Sequence, residues 1–360
     1  MGERIDLDAV RSRVDAAVAA QLERGSADLA ELQPEADDLL GVVTTLLRGG
    51  KRLRPIFLYA GYRAANAPDS DAVIALAAAM EFIQAGALIH DDVIDASDTR
   101  RGHPTAHRAL EATHARHAWD GDGARFGVAG AILAGNLCLG WADQAFDECG
   151  LPAAALARAR GVFDRMRTQL MAGQYLDVVT SVRPWSEMDT AARIAAGERM
   201  MTFKSAKYSI EHPLLVGALA GDLDQAARTA LSGYGVALGL AFQLRDDVLG
   251  VFGDPRVTGK PAGDDLREGK RTVLLAHTLD GLTTDEVAYA EHWLGRPDLG
   301  PEQIERLRAL IVAAGALDTV EARITELVAS ARAALAGARI TPAAAAALDE
   351  LADRTTARST

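Results

Sequence analysis

The chain has 360 residues, about half of them apolar and 5% aromatic, with a net charge of −12. That length allows one large domain or two ordinary ones. The acidic total argues against nucleic acid as the main partner, which needs clustered lysine and arginine, and two cysteines, Cys138 and Cys149, are too few for a disulfide framework or a four-thiolate zinc site.

Alanine and leucine dominate and β-branched runs are short, so bulk propensity favours an all-α protein. The opening MGERIDLDAV has no apolar signal-peptide core, and no stretch reaches roughly 18 consecutive apolar residues. The expectation is a soluble, cytoplasmic chain with no membrane span and no nucleic-acid partner. No internal repeat or long polar linker divides it, so one domain over 1–360 is expected.

Residues 5–48 carry helical spacing, for example Leu39, Leu40, Val43 and Leu47, and Gly49 and Gly50 stop that run. GGKRLRP then places Lys51 and Arg54 three apart, directly after glycines that let backbone approach a ligand. Diphosphate matches such a cluster, because arginine's planar fork pairs with phosphate oxygens. A solvated basic face is the alternative for this cluster taken alone.

An apolar helix is predicted from Asp71 to about Ala96, capped by Ser70 or Asp71. It ends in Ile89-His90-Asp91-Asp92-Val93-Ile94-Asp95. Asp91 and Asp95 stack four apart on one face, and Asp92 lies beside them. Converging carboxylates repel one another, and a hard cation such as magnesium relieves that cost while bridging to phosphate. Arg100 and Arg101 follow as a second basic pair.

Further helical stretches cover about 104–117, 126–148, 153–180, 187–210, 213–220 and 224–252. His103, His107, His114 and His117 include four- and three-residue spacings. They lack a cysteine or HExxH partner, and Pro104 interrupts the first pair, so structural use is favoured over zinc. Lys204 and Lys207 lie on one helix. Phe242-Gln243-Leu244-Arg245-Asp246-Asp247 repeats the acidic helix end, with Gln243 on the face of the aspartates. Two such ends in one chain suggest a metal cage, and solvated helix ends are the alternative for either alone. Residues 253–272 read as a long functional loop carrying Lys260 and Lys270, able to close over a diphosphate. The remainder, to about 352, reads as alanine-rich helix.

In this order the motifs resemble the trans (E) polyprenyl diphosphate synthases, which include the geranylgeranyl and farnesyl diphosphate synthases. The resemblance rests on GGKRLRP (49–55), Gln84, DDVID with SDTRRGHPT (91–105), GQYLD (173–177), KSA (204–206), FQLRDD (242–247), TGK (258–260) and GKRT (269–272). Residues 1–40 and about 280–360 carry no usable motif. The resemblance implies an isoprenoid-synthase-like bundle of roughly a dozen helices around a deep central cavity, usually as a homodimer. It implies that Asp91, Asp92 and Asp95 hold two magnesium ions and Asp246, with Asp247 beside it, a third. Lys51, Arg54, Gln84 and Arg101 would bind isopentenyl diphosphate. Arg100, Lys204, Ser205, Gln243, Lys260 and Lys270 would handle the allylic diphosphate.

One departure stands out. The family's second motif often reads DDxxD, whereas here Gly250 takes the third position, and Asp254 lies beyond a helix end marked by Gly253 and Pro255. The implied reaction is head-to-tail prenyl transfer. A class I terpene cyclase would not need GGKRLRP, and a non-catalytic partner subunit would have lost an acidic motif. One helical turn rises about 5.4 Å, close to one isoprene unit. Gly86 and Ala87, one turn before Asp91, are both small, so a growing tail is expected to pass them toward Ile83, Phe82 or Met80. The expected main product is geranylgeranyl diphosphate, with a farnesyl or longer product as the alternative.

Overall fold

The computed structural model describes residues 4–253, 263–296 and 298–356. In chain order its helices are α1 (Leu7–Asp28), α2 (Asp37–Leu47), α3 (Leu53–Ala64), α4 (Asp71–Ile94), α5 (Ala106–Arg116), α6 (Gly123–Asp147), α7 (Ala153–Val182) and α8 (Thr190–Met201). A π-helix, Thr202–Glu211, runs on into α9 (His212–Ala220). Then come α10 (Gln225–Phe252), α11 (Asp264–Glu268), α12 (Val273–Asp280), α13 (Thr284–Trp293), α14 (Pro301–Ala313), α15 (Ala316–Ala334) and α16 (Pro342–Thr356). Among the described residues the strand content is a minimal hairpin, with Thr99 opposite Pro104 and Arg100 opposite His103. The all-α expectation therefore holds.

Local chemistry starts these helices where the sequence signals it. Asp6 accepts from the amides of Asp8 and Ala9 at 3.0 Å, and Ser70 accepts from that of Val73 at 3.4 Å. Thr283 and Glu286 form a reciprocal capping box at α13. The predicted loop at 253–272 needs correction: within it Asp264–Glu268 is helical, bounded by Gly263 and Gly269 at φ +71° and +66°. Positive φ is what glycine supplies without strain.

The chain forms two compact units. The first takes residues up to 163, 213–225 and 340–347; the second takes 164–212, 226–339 and 348 onward. In the first, α4 is the buried axis, with α1, α3 and α6 against it. Val73, Leu76, Phe82 and Ile83 on α4 are wholly shielded, and burial of each such side chain stabilises by about 1.5–3 kcal/mol. By length and composition α4 and α6 are apolar enough to cross a membrane, which a count of consecutive apolar residues passes over because Glu81 and Gln84 interrupt α4. Of the apolar window in α4, 72% is buried, so its apolarity serves the core, against 39% in α6. The outer face of α6 leaves Phe126, Ile132 and Leu133 exposed.

In the second unit α12 packs against α8 and α15. Tyr234 on α10 donates to the Leu348 carbonyl at 2.6 Å, and Arg245 grips Glu321 through two bonds of 2.5 and 2.6 Å. The π-helix is wider than an α-helix, and glycines on both flanks make room for it. A Cβ on Gly173 of α7 would stand 2.5 Å from the Lys204 nitrogen, and one on Gly239 of α10 would stand 2.5 Å from the Ala206 Cα. Neither contact is sterically possible, which gives Gly173 of the GQYLD motif a packing reason.

Candidate active site

The end of α4 presents two kinds of aspartate. Asp91 and Asp95 are half-buried and four residues apart, so they share a face. Asp92 is 2% exposed and turned inward, where Arg100 of the hairpin grips its Oδ1 with Nε at 2.8 Å and also through Nη2. The same Nη2 lies 3.7 Å from Asp91 Oδ2. Burial pushes the Asp92 carboxyl above its ordinary value, against the pull of Arg100. Asp92, Arg100 and Arg101 border a cavity of about 520 Å³ closed on its other sides by α2 and α5.

The basic motif is organised by a residue that the sequence reading did not single out. Arg52 sits at φ +50° at the head of α3 and is almost wholly buried. Its guanidinium bonds Asp15 of α1 at 2.7 Å, Glu81 of α4 at 2.5 Å and the Leu47 carbonyl at 2.6 Å. Holding Arg52 inward leaves Lys51 exposed and Arg54 half-buried. Arg101 reaches back to the Leu46 carbonyl at 3.3 Å and stands 3.4 Å from where a Cβ on Gly50 would be. Desolvation first, and then the positive charges of Arg52, Arg100 and Arg54 against the opposing Glu81, hold the Arg101 guanidinium below its ordinary value. Such crowding of cations is relieved by an anion.

On α4 the half-exposed face runs through Gln84, Ala87, Leu88 and Asp91. Gly86 is not on it. A Cβ there would meet the Gly135 carbonyl at 2.9 Å and Leu139 at 3.2 Å, so its smallness belongs to the close approach of α4 and α6. Ile83 is fully buried beneath. Among the histidines, His107 lies 3.3 Å from the Thr105 hydroxyl, His114 bonds the Asp120 carbonyl at 3.2 Å and His117 stacks on Trp119. These are structural contacts.

The second unit carries the remaining residues. Ser205 on the π-helix donates to Gln243 Oε1 at 2.5 Å, and Gln243 Nε2 donates to Asp247 Oδ1 at 2.8 Å. Lys204 donates to Asp177 of the GQYLD motif at 2.5 Å, a partner that the sequence reading gave no role. Asp246 is exposed, while Asp247 is 6% exposed and turned inward. Burial, and then the negative charge of Asp265, push the Asp247 carboxyl well above its ordinary value. Lys270, read as a lid lysine, pairs with Asp265 at 3.1 Å and Glu268 at 2.8 Å. Lys260 lies outside the described residues, as does Asp254.

Hard carboxylate oxygens are the donors magnesium prefers. Among the described residues no three His, Cys, Asp or Glu side chains form a ready-made metal group.

An all-helical chain with two acidic helix ends and a basic diphosphate-type cluster defines the class. The polyprenyl synthetase family model matches residues 37–311, and the chain belongs to that family. A geranylfarnesyl diphosphate synthase of Aeropyrum pernix is 32% identical over 301 residues, 82% of this chain and 86% of that protein. A geranylgeranyl diphosphate synthase of Mycobacterium tuberculosis is 31% identical over 81% of this chain and 77% of its own length. The crystal structure of geranylgeranyl pyrophosphate synthase from Corynebacterium glutamicum, complexed with isoprenyl diphosphate and magnesium, superposes with a TM-score of 0.91. It is 40% identical and covers 99% of this chain and 100% of its own.

Proposed function

We propose that this chain is a magnesium-dependent prenyltransferase that joins isopentenyl diphosphate head-to-tail to an allylic diphosphate, with geranylgeranyl diphosphate as main product. The observation that carries the reading is the crowding of Arg54, Arg100 and Arg101 beside Asp91 in one unit. Cations and carboxylates so interleaved match a diphosphate brought in with a divalent ion. In this reading Asp91, Asp95 and Asp246 hold magnesium, and Asp92 and Asp247 stand behind them. Bound magnesium supplies charge stabilisation to the departing diphosphate.

The chain's own residues do the rest. Lys51, Arg54, Gln84 and Arg101 hold isopentenyl diphosphate. Arg100, Lys204, Ser205, Gln243, Lys260 and Lys270 orient the allylic diphosphate. As the allylic C–O bond breaks and releases diphosphate, the isopentenyl double bond forms the new C–C bond to the allylic carbon, and the resulting cation loses a proton to the departing diphosphate from the isopentenyl carbon next to the cationic centre, on its diphosphate side. No side-chain nucleophile takes part. Ala87 and Ile83 limit the tail, with Gly86 acting through helix packing. The two compact units work as one catalytic domain in the cytoplasm, and the exposed Phe126, Ile132 and Leu133 of α6 pair two copies as a homodimer.

The test is to incubate the purified chain with magnesium, isopentenyl diphosphate and each of dimethylallyl, geranyl and farnesyl diphosphate, then size the products. A twenty-carbon product is expected from all three primers. No elongation of any of them would overturn the reading.

A further inference from the structure

Helix α2 has two apolar faces and gives one of them to the core. Val43 and Leu47 are shielded, whereas Val42 and Leu46, four apart on the neighbouring face, are half-buried. Val42 and Leu46 line the cavity of about 520 Å³, together with Ile89 of α4, Pro104 of the hairpin, and Ala106 and Ala109 of α5. Gly41 lines it too and leaves it open, since a Cβ there would meet no atom within 4 Å. A mostly apolar chamber of this size with a few polar groups at its ends is what a small-molecule site requires. Of the residues proposed above to hold isopentenyl diphosphate, Arg101 borders the chamber, while Lys51, Arg54 and Gln84 do not. It is therefore a second chamber that shares one side chain with the first.

The two ends of the chamber differ in charge. Arg48 and Arg101 stand at the C-terminal end of α2, both exposed. Arg101 donates to the Leu46 carbonyl at 3.3 Å, and among the described residues neither guanidinium forms an ion pair. Arg100 beside them is already taken by Asp92. At the opposite end stand Asp37 and Asp38, and Asp38 has Thr113 at 3.3 Å and Arg116 at 3.7 Å. An anionic head is favoured at the Arg48 end and disfavoured at the other. Between the ends, from Gly41 to Leu46, the apolar wall of α2 rises about 7.5 Å. That length takes one isoprene unit before the carboxylates are reached, and not two.

We propose that this chamber is a second binding site for a five-carbon prenyl diphosphate, with the diphosphate on Arg48 and Arg101 and the isoprene unit against Val42 and Leu46. Occupancy slows elongation, because it withdraws Arg101 from the first site. The proposal rests on the prenyl-transfer reading of the preceding subsection, which gives Arg101 its other task. One guanidinium cannot fork onto two diphosphates at once, so isopentenyl diphosphate at high concentration acts against its own consumption.

The experiment is isothermal titration calorimetry of the full chain with isopentenyl diphosphate, without magnesium or allylic primer so that nothing reacts. Initial rates with magnesium and a fixed allylic primer accompany it. The wild-type chain is expected to bind two molecules, and its rate to fall at high isopentenyl diphosphate. Gly41→Trp, which fills the chamber, is expected to bind one, to keep the rate at low concentration and to lose the fall. Arg48→Met is expected to weaken the second site about tenfold, the loss of one charge-assisted bond, and to move the fall to correspondingly higher concentration. One molecule per wild-type chain overturns the proposal, as do two that either folded variant leaves unchanged. A fall in rate that survives in either variant overturns it as well, by placing the inhibition in the first site. Should Gly41→Trp lose helicity by circular dichroism, the Arg48→Met titration decides. A wild-type chain that elongates no primer is a separate result, which sinks the prenyl-transfer reading itself.

Discussion

Asp92 and Asp247 hold the same position in their motifs, and both are turned into the protein, but their surroundings differ. Asp92 has a dedicated guanidinium, Arg100, delivered by a hairpin that follows its own helix. Asp247 has the amide of Gln243 on one oxygen and no described partner on the other. The first motif is neutralised locally and from nearby sequence. The second depends on a side-chain relay from Ser205 and on residues of α11, so its charge balance is assembled from three segments. A carboxylate left without its counter-charge costs far more than the pair itself contributes, so the two motifs should respond differently to loss of their cations.

Removing an outward aspartate should erase that difference. Asp91→Ala and Asp246→Ala are each expected to cut turnover by about 10³-fold, since each takes a charge-holding group from the reacting diphosphate. Near wild-type turnover in either, with helicity intact by circular dichroism, would show that the two motifs do not share the work.

The counter-ions should separate them next. Arg100→Met strands Asp92 in a dry site, and its denaturation midpoint is expected to fall by an amount worth about 3 kcal/mol. Lys270→Met breaks the more exposed pair, its side chain being 32% exposed against 17% for Arg100, and should cost about 1 kcal/mol. Equal losses would mean that both motifs are neutralised alike.

Lys51→Ala should then raise the Michaelis constant for isopentenyl diphosphate about tenfold, the loss of one charge-assisted bond. A rise confined to the allylic substrate would reverse the assignment of the two diphosphates.

The smallest effects concern neighbours on α4. Ala87→Phe, on the half-exposed face, is expected to shorten the product toward fifteen carbons with little change in stability. Gly86→Phe points at α6 and should instead destabilise by about 1–3 kcal/mol through overpacking. Product sizing and thermal melts on the pair would expose an error in either placement.

Much of this was legible in the sequence, because helical periodicity and capping residues act over a few positions. Ser70 before the apolar run and Gly49-Gly50 after α2 mark boundaries that the structure keeps. The residue pairs within one helix turn, such as Asp91 with Asp95, were equally readable. What the sequence hid were contacts set by apposition. Asp265 meets Gly250 only because the chain folds back, and no spacing rule connects them. Gly86 looked like room for a substrate because its neighbour is Ala87, yet it faces another helix. The widened turn at Thr202–Glu211 has no signature of its own, although the small residues flanking it, Gly173 and Gly239, would have been the clue.

Arg52 carries a consequence for where the working protein begins. The family match starts at residue 37, but the guanidinium that sets the backbone between Lys51 and Arg54 is held by Asp15, at 2.7 Å, on a helix with no motif. A chain trimmed to the matched region would keep Lys51 and Arg54, proposed above to bind diphosphate, and lose a strut beneath both of them. Its Arg52 would keep Glu81 and the Leu47 carbonyl but be open on the side that α1 covers. Motif boundaries mark what a family recognises; salt bridges mark what a fold requires, and here the second boundary is the wider.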